Sequence, residues 1–309
     1  MISWRSSVNR PLCLFRTKND FVLTGRKPTT KGDDFSFDDS EYADDTAVLF
    51  ESRNEVETFC PLPINHFKRF GMEVHVGDTR IADKPSKTEI LFVAAPNSAY
   101  TSPDTYDNAN LDRVRLDGSC FLPIVDQFCY LGTILSRSCS DEADVANRIR
   151  KASNAFGSLR KCLLANPKIS LSIKSSVYVG LVLPILLYGS ESWCLTENLF
   201  HMLRLFHHRC VRSMCGITMK DVFDKHLSTA DLLIKLKMLS IDSYVSKRQL
   251  RWLEHVARMG YDRLPRKLLS SWVPLQVSLS IQPKWKTVAI KTFQRRFGVS
   301  DSHFLIHHP

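Results

Sequence analysis

The sequence predicts an α+β chain, with a small β-hairpin part at the N-terminal side and a mainly α-helical remainder. Three observations carry that reading. Phe35 and Phe37 alternate with polar residues, an acidic turn interrupts, and residues 46–50 resume as an apolar run, which is the pattern of two strands. Val145, Ile149, Ala152, Phe156, Leu159 and Leu163 recur at helical spacing and line one face. The 309 residues are 44% hydrophobic and 24% charged, a globular composition that excludes disorder and collagen.

Residues 1–34 show no periodicity and are expected to hold little independent structure. Ser52 reads as an N-cap with Glu55 at capping-box spacing, opening a helix that runs toward Phe70. Pro61 and Pro63 fall inside it. Each removes an amide donor and clashes with the preceding turn, at about 3 kcal/mol in a helix interior, so a break is expected near Cys60. Gly71 closes the element, residues 72–76 alternate like a strand, and residues 88–93 read as another. Residues 95–110, with Pro96, Pro103 and several Asn and Asp, read as a loop or linker, and the domain division assigns 95–127 to it.

The acids Asp141, Glu142 and Asp144 crowd the first turn of the next helix, where the helix dipole favours negative charge. A second helix starts after Ser170 and bends at Pro184, and a third covers 196–215 and is closed by Gly216. Shorter helices fit 229–237 and 242–259, the latter followed by Gly260. No internal repeat is present.

There are 42 Lys+Arg against 32 Asp+Glu, a net charge of +10, and the excess is local: residues 141–269 hold 21 Lys+Arg and 11 Asp+Glu. Such an uneven division points to a polyanion, most often nucleic acid; a set of solvated helix faces gives the same count. The longest apolar run, 177–188, falls short of the roughly 20 residues a membrane helix needs and contains Gly180 and Pro184. With no secretory segment either, the chain is read as intracellular, nuclear or cytoplasmic, with no membrane partner. The nine cysteines are scattered and read as reduced thiols. His207, His208, Cys210 and Cys215 form the tightest metal-like cluster, but no second Cys/His pair lies at zinc-finger spacing.

Asp44 and Asp45 are adjacent carboxylates at a strand-turn-strand apex. Like charges this close repel unless a cation lies between them, and hard oxygen ligands on a hairpin suit magnesium carrying nucleotide phosphates. An Asp-Asp pair also makes an ordinary solvated turn.

The flanks of that pair add a resemblance. Tyr42-Ala43-Asp44-Asp45, with a strand on either side, resembles the catalytic hairpin of reverse transcriptases. Residues 70–77 (FGMEVHVG) and 84–89 (KPSKTE) are similar to the motif that follows the hairpin, and Phe128-Cys129-Tyr130-Leu131-Gly132 to the primer-grip turn. Residues 152–160 (ASNAFGSLR), 186–193 (LLYGSESW), 209–212 (RCVR) and 248–259 (RQLRWLEHVARM) resemble the thumb and downstream helices of non-LTR, LINE-type retrotransposon polymerases. The likeness covers roughly residues 35–273. It implies a partial palm over 35–94, the linker over 95–127, a thumb-like helical region over 128–216, a C-terminal helical region over 217–273 and a divergent tail over 274–309, after the N-terminal remnant 1–34.

The resemblance also implies roles. Asp44 and Asp45 would be catalytic ligands of Mg2+, Tyr42 would lie beneath the primer or nucleotide, and Lys87 would sit near the leaving pyrophosphate. Tyr130 and Gly132 would shape the turn that holds the primer, and Arg148, Lys151 and Lys161 would meet phosphates. A solvated strand-end lysine explains Lys87 as well, and core packing explains Tyr130. Arg248, Arg251 and Arg258, interleaved with Trp252 and His255, either grip RNA or form the polar face around a core tryptophan.

The implied function is RNA-directed DNA polymerase activity on an RNA template and DNA primer with deoxynucleotides. Two departures qualify it. Phosphoryl transfer of this kind needs a further aspartate from a strand well upstream, and only 43 residues precede Asp44. The fingers and first palm half have no counterpart either, so the chain is expected to be inactive alone, or to act with a complete polymerase. The alternative is a non-catalytic nucleic-acid-binding remnant or a decayed retroelement product without selected function.

Overall fold

The structure, a computed structural model, describes residues 14–16, 34–36, 39–42, 45–50, 53–78, 86–93, 113–117 and 119–270. Asp44, the Ser52 cap, most of the 1–34 remnant and the 274–309 tail lie outside the described residues. Mixed strands and helices make the chain α+β, as the sequence predicts. It divides into two units, one essentially residues 35–140 and the other from Asp141 onward.

The first unit holds the strands apart from part of the first two, since residues 15–34 fall in the second unit. After the short β1 (Leu14–Arg16) and β2 (Asp34–Ser36), β3 (Asp39–Tyr42) and β4 (Asp45–Val48) pair antiparallel, with Tyr42 opposite Asp45. Helix α1 (Arg53–Phe59) ends at Cys60 and α2 (Pro61–Arg69) begins at once. The break falls where the prolines require it: at the first position of α2, Pro61 gives up an N–H that would have had no partner in the helix.

Four further strands, β5 (Gly77–Asp78), β6 (Ile90–Leu91), β7 (Arg113–Asp117) and β8 (Cys120–Val125), form one sheet in which each of the others pairs with β8. This corrects the linker assigned to 95–127. Val114 and Leu122 are buried at paired positions, so a short apolar alternation hidden beside a Pro/Asn-rich stretch supplies the centre of the sheet. Pro123 lies between the β8 residues that pair with β5 and those that pair with β6. Of the strand expected over 72–76, only the adjoining Gly77–Asp78 pairs. The hairpin of β9 (Gln127–Tyr130) and β10 (Thr133–Ser136) belongs to this unit rather than to the helices.

The second unit is helical. Helix α3 (Glu142–Leu159) runs into a wide π turn at Arg160–Leu164. Ser170 caps α4 (Leu171–Val177) by accepting the Ile173 N–H, and a second π turn (Tyr178–Val182) leads into α5 (Leu183–Leu186). Pro184 therefore does not stop the helix: the turn before it widens, and Leu183 N–H reaches back to the Tyr178 carbonyl. Helix α6 (Glu197–Cys215) is capped by Thr196 and closed by Gly216 at φ 67°, a left-handed conformation that favours glycine. Then come α7 (Met219–Asp224), α8 (Thr229–Leu236), α9 (Ile241–Ala257) and α10 (Leu264–Ser270). Helix α9 ends at Arg258 in a right-handed cap rather than at Gly260.

Helix α6 is the hub, touching α3, α4, α8 and α9. Leu203, Val211 and Met214 are fully buried among Val145 and Ala152 of α3, Leu232 of α8 and Val245 of α9. Each large aliphatic side chain so buried contributes about 1.5–3 kcal/mol. A smaller cluster of Leu253, Val256 and Leu269 joins α9 to α10, and Trp252 packs against it.

A buried carboxylate sits among these helices. Asp144 accepts a hydrogen bond from Trp193 Nε1 at 2.9 Å and faces Arg148 Nε at 3.5 Å, with all three residues inside the protein. Asp144→Ala should therefore lower unfolding stability by about 3–5 kcal/mol, because it strands a buried guanidinium. The double variant with Arg148→Met should recover part of that loss in urea unfolding; two additive losses would show that the pair is not coupled.

Candidate nucleic-acid interface

The β3–β4 hairpin displays its polar end to solvent. Tyr42 is 66% exposed and Asp45, across the pair, is exposed too. Tyr130 on β9 reaches this hairpin: its hydroxyl donates a long bond of 3.4 Å to the Ser40 carbonyl. The next two residues turn the chain, Leu131 at φ 48° and Gly132 at φ 81°, the two left-handed positions that a type I′ turn demands. Glycine meets that demand without strain, whereas Leu131 does not. Tyr42, Asp45 and Tyr130 thus share one pair of hairpins.

Lys87 is exposed on a turn pinned to His75. Its backbone N–H donates to His75 Nδ1 at 3.3 Å, and Thr88 N–H donates to the His75 carbonyl at 3.2 Å. This joins the two sequence segments, 70–77 and 84–89, at His75.

Asp45 is the one carboxylate of the expected pair among the described residues. Among the described residues no three His, Cys, Asp or Glu side chains gather to hold a metal. The His207 cluster dissolves for a clear reason. His207 is buried, with Nε2 donating to the Leu239 carbonyl at 3.3 Å and Nδ1 accepting from the Tyr178 hydroxyl at 2.9 Å, so both ring nitrogens are occupied within the core.

The basic half separates into cations used inside and cations left outside. Arg148, expected to meet phosphates, is 5% exposed. It is withdrawn from the surface by Asp144 and by the Tyr188 ring, 4.3 Å from its guanidinium carbon. Lys174 is buried as well and donates to the Met214 carbonyl at 3.0 Å, near the negative end of α6. Arg204 joins α6 to Asp242 and Glu197, and Arg248 donates to the Leu187 carbonyl and to Glu191. Arg258 pairs with Glu254, and Arg251 is exposed.

Lys151 and Lys161 are exposed, as expected, together with Arg150, Arg160 and Lys168. The last of these was not singled out by sequence reasoning, yet a signal for it was present. No Asp or Glu occurs between Asp144 and Glu191, so the outer side of α3 and the loop after it form a cationic surface with no acid along that stretch of chain. Such a surface attracts phosphates without regard to base sequence. Among the described residues no helix is long and apolar enough to cross a membrane.

No protein-family model matches the chain, and no solved structure matches it. It is similar to an uncharacterized transposon-derived protein of Caenorhabditis elegans, 25% identical over 240 residues, which is 75% of this chain and 76% of that protein.

Burial pushes the pKa of His207 down from an ordinary 6.5 to about 4. The unfolded chain gains a proton at this residue below about pH 6.5 that the folded chain refuses until about pH 4, so stability falls across that window as pH drops, by about 3 kcal/mol in all. Urea midpoints across the window should decline less steeply in His207→Gln; an equally steep decline would assign the acid sensitivity to other groups.

Proposed function

We propose that this chain is a nucleic-acid-binding part of a retrotransposon polymerase of the non-LTR reverse transcriptase type. The observation that carries the proposal is the cationic stretch of α3 and the following loop beyond Asp144, a run of chain with no acid before Glu191, with Lys151 and Lys161 exposed on it. The order of the motif segments along the chain and the similarity to a transposon-derived protein support a retroelement origin.

In this reading the chain divides its work. The helical unit holds template and primer through their phosphates, each contact independent of sequence and weakened by salt. The hairpins of the first unit supply Tyr42, Asp45 and Tyr130 to the primer end, and Asp44 with Asp45 accounts for any magnesium requirement. Binding is the activity proposed for the chain by itself.

Filter binding to an RNA–DNA hybrid should show affinity that falls steeply with salt. Exchanging Lys151 and Lys161 for Glu should reduce the salt slope by about two contacts' worth and leave the fold intact. A salt-independent isotherm, or no binding at low salt, would remove the case for a phosphate-contacting surface. In primer extension, incorporation should not exceed that of Asp44→Ala; a clear excess would show that the chain is a polymerase by itself.

A further inference from the structure

The outer side of the run from α4 through the π turn to α5 carries no charge. Between Lys168 and Glu191 the chain has one charged residue, Lys174, and it is buried with its ammonium on the Met214 carbonyl. What faces solvent is apolar or small. Ile173, Val179, Leu181 and Tyr188 are between 37% and 54% exposed, and Ser176, Gly180 and Pro184 are exposed among them. A helix at the surface of a soluble chain ordinarily turns charged residues outward, and an apolar strip left in their place marks an interaction site. At helical rise this strip is about 27 Å long.

Two observations fit a second copy of this chain as its cover. The first is charge. Copies of a chain with a net charge of +10 repel one another over most of their surface, and this strip adds nothing to that repulsion. The second is self-complementarity. In a twofold contact the same strip meets itself in reverse order. With the axis at Gly180, Val179 of one copy meets Leu181 of the other, Ser176 meets Pro184, and Ile173 meets Tyr188. Glycine then crosses glycine at the centre, where two larger side chains would collide. A Cβ at Gly180 would meet no atom of its own chain within 4 Å, so the space above it is open to another backbone.

We infer that the outer face of α4–α5 is a homodimer interface, in which two copies pack antiparallel about a twofold axis at Gly180. The strip is small for a specific interface, so the dimer forms at micromolar concentrations and is reversible. The inference goes beyond the nucleic-acid reading and does not depend on it.

Sedimentation equilibrium of the full-length, nuclease-treated chain tests it, in about 0.5 M salt to screen the charge repulsion. The parent should show a monomer–dimer equilibrium. Val179→Glu and Leu181→Lys change exposed positions, so their thermal melts should match the parent's, yet each should raise the dissociation constant by at least about tenfold. Gly180→Leu, which adds bulk at the axis without charge, should do the same. Mixed in equal amounts, the glutamate and lysine variants should associate again, because the two new charges face each other across the axis. A parent that stays monomeric at about 100 μM would overturn the inference, as would variants that dimerise like the parent. A mixture no more associated than its components would overturn the antiparallel twofold, and the inference with it. A monomeric parent that co-sediments with phosphatidylcholine vesicles, and is released by Leu181→Lys, would assign the face to a lipid surface instead.

Discussion

The helical unit depends on one buried anion. A carboxylate taken out of water is tolerated only where donors surround it, and Asp144 has the Trp193 indole N–H on one oxygen and the Arg148 guanidinium beside the other. Arg148 in turn lies against Tyr188. Both aromatic partners belong to the turn that follows α5, so the first turn of α3 holds that turn in place. Asp141 adds a second hold by accepting the Cys194 N–H at 2.5 Å. From the other side, Gln249 of α9 donates to the Ser190 and Trp193 carbonyls at 3.3 and 3.0 Å. Three separate stretches of chain are fixed to one another by polar contacts that only one register satisfies.

This arrangement gives the sequence segments a physical meaning. Residues 186–193 and 248–259 look like functional motifs when read as strings, yet Arg248 donates to the Leu187 carbonyl and to Glu191, and Gln249 to the Ser190 and Trp193 carbonyls. Their residue types are required by hydrogen-bond satisfaction. The charge follows the same division. Arg148, Lys174 and Arg266 are buried and Arg204 is partly covered, each with an internal partner. Five of the exposed cations, Arg150, Lys151, Arg160, Lys161 and Lys168, lie in a stretch with no acids, and there the surface potential is decided by position rather than by the total of +10.

In the strand unit the corresponding constraint is backbone conformation. The β9–β10 turn forces Leu131 into a left-handed state that a leucine tolerates poorly. The pairing of β9 with β10 on both sides and the reach of Tyr130 to Ser40 keep it there. The segments around His75 and Lys87 are joined just as locally, through main-chain hydrogen bonds, so this unit is built from short pairings rather than from a large core.

Much of the fold was legible because it is governed by local rules. The break at Cys60, the Ser170 and Thr196 caps, the Gly216 terminus and the buried stripe of α3 follow from donors, dihedrals and periodicity within a few residues. The sheet built on β8 was not legible, because its alternation is short and its partners are 29 or more residues away at β6 and further at β5. For the candidate site, sequence alone determined that the excess positive charge lies in the helical half and that Lys151 and Lys161 fall off the apolar stripe. Only the tertiary structure decided that Arg148, one turn before Lys151, belongs to the interior. Helix spacing offers Asp144 to Arg148 at i,i+4, but it cannot reveal that the Trp193 indole and the Tyr188 ring close over the pair from another part of the chain, and those contacts determine which cations are left for a partner.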